Sequence, residues 1–116
     1  MSINKVMVVG NITRDPEKRM AGETPLIQFG IAVNEFRGEK QYANYFDVTV
    51  WGNRAKALAG ILKKGMKVAI EGSLRYESWE KDGEKRSKVS ITAQQVEWFN
   101  PKQEQNTGAA DDEVPW

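Results

Sequence analysis

Apolar side chains fall on every second position through most of the chain from Asn4 to Trp98. They recur at Val6, Val8 and Ile12, then at Ile27, Phe29, Ile31 and Val33, and again at Phe46, Val48 and Val50. A fourth run holds Met66, Val68, Ile70, Leu74 and Tyr76, and a fifth holds Val89, Ile91 and Ala93. Successive side chains of a strand point to opposite faces, so a period of two predicts strands with one buried and one wet face. Five such runs bounded by turn residues predict a small all-β barrel or sandwich. Asp82-Gly83, between two of the runs, predicts a hairpin turn, while Gly22 with Pro25 and Arg37-Gly38 mark longer loops.

One segment keeps a different period. Ala55, Leu58, Ala59 and Leu62 recur at i, i+3, i+4 and i+7, the apolar stripe of a helix. Asn53 is placed to cap its start. Lys63 and Lys64 suit the negative end of the helix dipole, and Gly65 suits the position just past it. This helix falls between the third and fourth strands. Five strands with one short helix in that slot is the order of the OB-fold, a partly open barrel whose face suits oligonucleotides.

The alternation stops after Phe99. Residues 100–110 (NPKQEQNTGAA) are small and polar, with too little apolar surface to offset the entropy lost on ordering, so a disordered linker is expected there. The sequence then closes on Asp111, Asp112, Glu113, Val114, Pro115 and Trp116. The expected organisation is therefore a barrel domain over residues 1–99, a linker over 100–110 and an acidic tip over 111–116. Charge divides in the same way. Residues 1–100 carry 16 Lys and Arg against 12 Asp and Glu, a net of +4, whereas residues 101–116 carry one Lys and four acids, a net of −3. A basic body with an acidic end suits a chain that meets a polyanion with one part and a basic partner with the other.

The wet faces of the predicted strands hold the candidate chemistry. If Phe46, Val48 and Val50 point inward, Tyr45, Asp47, Thr49 and Trp51 point outward. If Ile27 to Val33 point inward at alternate positions, Gln28, Gly30, Ala32 and Asn34 point outward, and the same parity carries Phe36 outward. On the fourth strand Lys67, Glu71, Ser73 and Arg75 share the outer face, and Trp79 shares their parity. Four rings, Phe36, Tyr45, Trp51 and Trp79, thus fall on the polar side, with Arg37, Lys67 and Arg75 beside them. A Phe-sized ring left in water forfeits roughly 1.5–3 kcal/mol of burial. A scattered exposed ring needs no explanation, but four of one parity near basic groups call for a shared flat, anionic partner. Nucleobases stack on such rings for about 1–3 kcal/mol each, whatever the sequence. Packing under a loop or at a subunit interface is the alternative for any one ring; Tyr45 and Trp51 sit inside an unbroken alternation.

Composition removes most catalytic chemistry. The sequence has no cysteine and no histidine, which excludes disulfides, the usual zinc sites, Cys nucleophiles and His-based triads. Gly60-Ile-Leu-Lys-Lys-Gly65 has the glycine spacing of a phosphate loop, but Met66 stands where that loop needs Lys. Asp111 and Asp112 lie in a segment where nothing fixes catalytic geometry. No catalytic residue, metal or cofactor is expected. With no signal-length apolar run and nothing near the ~20 apolar residues of a membrane span, the cytoplasm is the expected compartment.

Several segments resemble the bacterial-type single-stranded DNA-binding proteins, the SSB family. Asn4-Lys5-Val6 through Val9-Gly10-Asn11 and Asp15-Pro16-Glu17 are similar to that family's first strand and loop. Tyr45-Phe46-Asp47-Val48 through Val50-Trp51-Gly52 resembles its third strand. Leu62-Lys63-Lys64-Gly65 and Ile70-Glu71-Gly72-Ser73-Leu74-Arg75 resemble its helix end and fourth strand, and DDEVPW resembles its acidic tip. The resemblance implies base stacking at Phe36, Tyr45, Trp51 and Trp79, the same rings reached from strand parity. It also implies backbone contacts from Lys5, Arg14, Lys64 and Arg75, a homotetramer, and association with the nucleoid. It further implies recruitment of replication, recombination and repair proteins by residues 111–116. The tip departs from the family's common Ile-Pro-Phe ending, and the linker is short. An RNA-binding OB module and a protein-interaction barrel are the competing readings; the acidic tip favours single-stranded DNA.

Overall fold

The alternating runs form one curled sheet in a computed structural model of the protein, which describes residues 2–99. The strands are β1 (Val6–Ile12), β2 (Glu17–Ala21), β3 (Thr24–Arg37), β4 (Lys40–Trp51), β5 (Lys67–Lys81) and β6 (Glu84–Phe99), with one helix, α1 (Asn53–Ala59), between β4 and β5. The sheet runs β1-β5-β6-β4-β3-β2, and a further pairing of β1 with β3 closes it. Its barrel strands β1, β3, β4, β5 and β6 are the five expected, with the helix in the expected slot, and the architecture is the OB-fold. The β4–β6 seam is parallel, through Val48 with Ile91 and Thr49 with Thr92.

Burial follows the alternation inside the barrel. Ile27, Phe29, Ile31, Val48, Val50, Val68, Ile70 and Ile91 are all buried, and Val6, Val8, Val33 and Phe46 pack against them. Most are β-branched or aromatic, which suits a pleated, half-buried surface. α1 stops one end of the barrel with Ala55 and Leu58, and Leu62 and Met66 complete the plug. The helix is shorter than its periodicity predicts. Gly52 rather than Asn53 is its N-cap, with no side-chain bond, and it ends at a Gly60 C-cap. Lys56 is then the basic residue of its last turn, and Lys63 and Lys64 lie beyond the dipole's reach. Glycine disfavours helix by about 1 kcal/mol. The chain turns there instead, with the Ile61 and Leu62 amides both donating to the Leu58 carbonyl at 3.0 and 2.9 Å.

Other expectations are corrected. β2 was not visible as a strand because all five of its residues are exposed and it is held only by its ladder to β3. The connections around Gly22 and Gly38 are tight two-residue turns, not longer loops: Ala21 pairs with Thr24 and Arg37 with Lys40. Gly22 and Gly38 make them possible with φ of 62° and 63°. Asp82-Gly83 forms the expected turn, both residues at positive φ. Leu74, Tyr76 and Val89, placed in the apolar runs, are exposed. β5 leaves β1 at Gly72, and beyond Leu74 the β5–β6 pair runs on as a two-stranded arm, so its core parity no longer faces a core. Residues 100–110 and 111–116, read as linker and tip, lie outside the described residues.

β6 changes parity on its way through the barrel. Glu71 opposes Gln95 and Gly72 opposes Ala93, so Gln94 is an extra residue, a bulge. Apolar positions accordingly move from odd (Ile91, Ala93) to even (Val96). The strands approach so closely at this bend that a side chain on Gly72 would collide with the Thr92 carbonyl. Gly72→Ala is expected to lower stability by about 1–3 kcal/mol, because backbone cannot yield as a flexible side chain can. Gly60→Ala, with open space around it, is expected to be neutral or slightly stabilising. Urea unfolding of both variants checks the contrast.

Candidate nucleic-acid interface

The β3–β4 ribbon carries three of the predicted rings on its outer face. Its register places Leu26 opposite Trp51, Gln28 opposite Thr49, Gly30 opposite Asp47, Ala32 opposite Tyr45 and Phe36 opposite Gln41. Residues directly opposite share a face, so Trp51, Tyr45 and Phe36 lie along one side of one ribbon. At the rise of a strand they span about 33 Å, with Tyr45 about 20 Å from Trp51. Trp79 stands on the second ribbon, opposite Arg86 on the β5–β6 arm. All four rings are exposed: Phe36 71%, Tyr45 72%, Trp79 43% and Trp51 39%. The first two are barely covered; the two indoles are more than half packed against their surroundings.

The basic residues divide between two places. Arg14 lines a groove between β4, the β1–β2 loop and the β5–β6 arm, together with Asp47, Glu77, Lys88 and Ser90, and Arg75 is tied to that groove through its ion pair with Glu77. Arg14 Nη1 lies 3.3 Å from Asp47 Oδ1, Lys88 Nζ lies 2.9 Å from Asp47 Oδ2, and Arg75 Nε lies 3.4 Å from Glu77 Oε1. Lys64 touches this loop through its backbone, whose N–H donates to Asp15 Oδ1 at 2.8 Å. Lys5 is elsewhere. It pairs with Glu71 at 2.6 Å, on the face that carries Met7 and Val9. Sequence reasoning did not single out Lys88, whose outward parity beside Val89 was the available signal. It also missed Tyr76, 68% exposed, because alternation assigned that ring to the core. Tyr42 was missed too; its ring lies under the Arg37 guanidinium at 5.4 Å. Among the described residues no group of carboxylates could hold a metal ion, and no helix is long and apolar enough to cross a membrane.

A family model described as the single-strand binding protein family matches residues 3–99. The chain belongs to that family. Among SSB-family relatives, the single-stranded DNA-binding protein of Treponema pallidum is 39% identical over 100 residues, covering 82% of this chain and 57% of that protein. The Aquifex aeolicus protein of the same name is 37% identical over 123 residues, covering 97% and 82% of the two chains. This SSB-family chain thus spans little more than half the length of the Treponema relative. In three dimensions it is similar to the Plasmodium falciparum SSB in complex with single-stranded DNA, with a TM-score of 0.80 at 22% identity, covering 86% of this chain and 97% of that one. It is also similar to a deletion mutant of the Thermus aquaticus single-stranded DNA binding protein, with a TM-score of 0.75 at 28% identity, covering 86% and 52%.

The acidity of Asp47 is displaced. The Lys88 hydrogen bond, followed by the charges of Lys88 and Arg14, holds its carboxyl below the ordinary 3.8, against a partial desolvation that acts the other way. A folded-state value below the unfolded one means stability that is complete above the ordinary carboxylate range and is lost as pH falls through the lowered value. Asp47→Asn is therefore expected to lose that contribution at neutral pH and to show a flatter acid limb below the ordinary 3.8, so that the two proteins converge as the pH falls. Thermal melts of the two proteins across acid pH check this.

Proposed function

We propose that this chain binds single-stranded DNA largely without regard to sequence, protecting it in the bacterial-type nucleoid rather than transforming it chemically. The single observation that carries this reading is the row of Trp51, Tyr45 and Phe36 along the outer face of the β3–β4 ribbon, with Trp79 on the neighbouring arm. Rings that stand clear of the barrel can each take a base, and every base offers a flat face, so such a row has no need to read sequence. Arg14, Lys64 and Arg75 take the phosphates on the near side, with Lys5 as a more distant contact. Membership of the single-strand binding protein family supports the same reading.

The chain acts as a homotetramer in this reading. Met7 and Val9 are exposed on β1 beside Ala69, and an apolar strip of that kind on a barrel wall suits burial against another copy. Residues 111–116 dock replication, recombination and repair proteins. A ring that follows a proline and three acids suits a pocket with an apolar floor and a basic rim.

Titration of tryptophan fluorescence with oligo-dT across a range of salt tests the binding, with matched RNA as the competing arm and solution mass measured alongside. The expected result is strong quenching and an affinity that falls with log[salt] by about 0.7 per phosphate neutralised. Trp51→Ala and Tyr45→Ala should each weaken binding by about 1–3 kcal/mol, the range general to single-strand-binding OB folds, while leaving the barrel folded in a thermal melt. Salt-insensitive or absent binding overturns the reading. Deleting residues 111–116 should abolish pull-down of replication and repair proteins yet spare oligo-dT affinity; a deletion that loses DNA overturns the division of labour.

A further inference from the structure

A carboxylate in the middle of a surface meant for phosphates needs a reason. Asp47 is such a group: it faces outward on β4, two residues from Tyr45 and four from Trp51, and it accepts from two cations at once. The cations come from separate elements. Arg14 belongs to the loop after β1, and Lys88 to the β5–β6 arm. The site is also shaped to admit one of them. Gly30, directly opposite Asp47, has no side chain, and a Cβ there would lie 2.6 Å from Arg14 Nη1. The guanidinium therefore rests against the sheet itself, in space that any other residue at 30 would fill.

We infer that Asp47 is a positioning residue that ties Arg14 and Lys88 into a three-part ion bridge across the groove, and that this bridge restrains the affinity and salt sensitivity of single-strand binding. The inference rests on the DNA-binding reading above. A strand entering the groove meets two cations whose charge is already half cancelled. Its phosphate must displace carboxylate oxygens to reach them, and then lies near the carboxylate it displaced. Glu77, on the wall of this groove, pairs with Arg75 at 3.4 Å, so the local surplus of positive charge is small. The outcome is a protein that holds DNA chiefly by its rings and exchanges phosphates readily.

Asp47→Asn removes the charge with almost no change of shape. It is expected to bind oligo-dT about fivefold more tightly at low salt, the scale of one added unit-charge contact in water. Its log–log salt slope should steepen by about 0.7, one more phosphate neutralised on a single strand. Asp47→Thr, which removes the charge with a residue favoured in strands, should show the same two changes, and Asp47→Glu should show neither. Lys88→Gln should cost little in the wild-type background and markedly more in Asp47→Asn, because only there is the lysine released for phosphate. Thermal melts of each variant establish that it is folded. Charge-removing variants that fold and bind with unchanged or weaker affinity and an unchanged slope overturn the inference. A wild-type protein with no salt-sensitive oligo-dT binding overturns the DNA reading instead, so the two failures are distinct.

Discussion

β1 reaches β5 along most of its length and, at Asn11 and Ile12, reaches β3 as well. That double pairing turns an open six-stranded sheet into a closed wall, and the rest of the molecule follows from it. In a closed wall each strand residue faces either the shared interior or the outside. The interior is filled by Phe29, Ile31, Val48, Val50, Val68 and Ile91, so the intervening positions have nowhere to go but out. Tyr45 and Trp51 are exposed for the same geometric reason that Val48 and Val50 are buried. The interface is thus a by-product of core packing, and one register fixes both: a slip of one residue on β4 would bury the rings and drown the valines.

This coupling explains how much could be read from the chain alone. Wherever a strand touches the core, one apolar residue in two is enough to give direction, and Tyr45 and Trp51 are exposed as the alternation predicts. The reading fails where strands leave the core. Tyr76 and Val89 keep the inward parity of Ile91, yet they stand on an arm with nothing beneath it. β2, with every residue exposed, has no alternation to detect. The end of α1 was overrun because Leu62 continues the helical spacing while reaching the core from a turn. Ion pairing leaves no periodic trace either. Nothing in the spacing of Arg14, Asp47 and Lys88, separated by 33 and 41 residues, announces that they meet.

Charge on this surface is largely self-cancelled. Lys5 with Glu71, Arg14 and Lys88 with Asp47, Arg37 with Glu35 and Arg75 with Glu77 all keep their countercharges within an ion pair. Exposed pairs of this kind contribute at most about 1 kcal/mol each to folding, so stability is a weak explanation for so many of them. Their stronger effect is on the field outside the barrel. A net of +4 spread over residues 1–100 and broken up by nearby acids draws a polyanion only gently. The rings then carry a larger share of the contact, and they are indifferent to salt.

The arms beyond the barrel have one more consequence. Outward of Asn44 on β4 and of Leu74 on β5, each ribbon is two strands wide, and the side-chain amide of Asn4, bonded both ways to the Leu74 backbone, is the last tether on the second. A lone hairpin in water is only marginally stable, so its amides open by fraying, whereas those of Val48 and Ile91 exchange only when the whole wall comes apart. Trp51 is therefore set in the slow, rigid part of the molecule, and Phe36 and Trp79 ride on the fast part. A flexible polymer laid across both would find one fixed anchorage and two that can follow it.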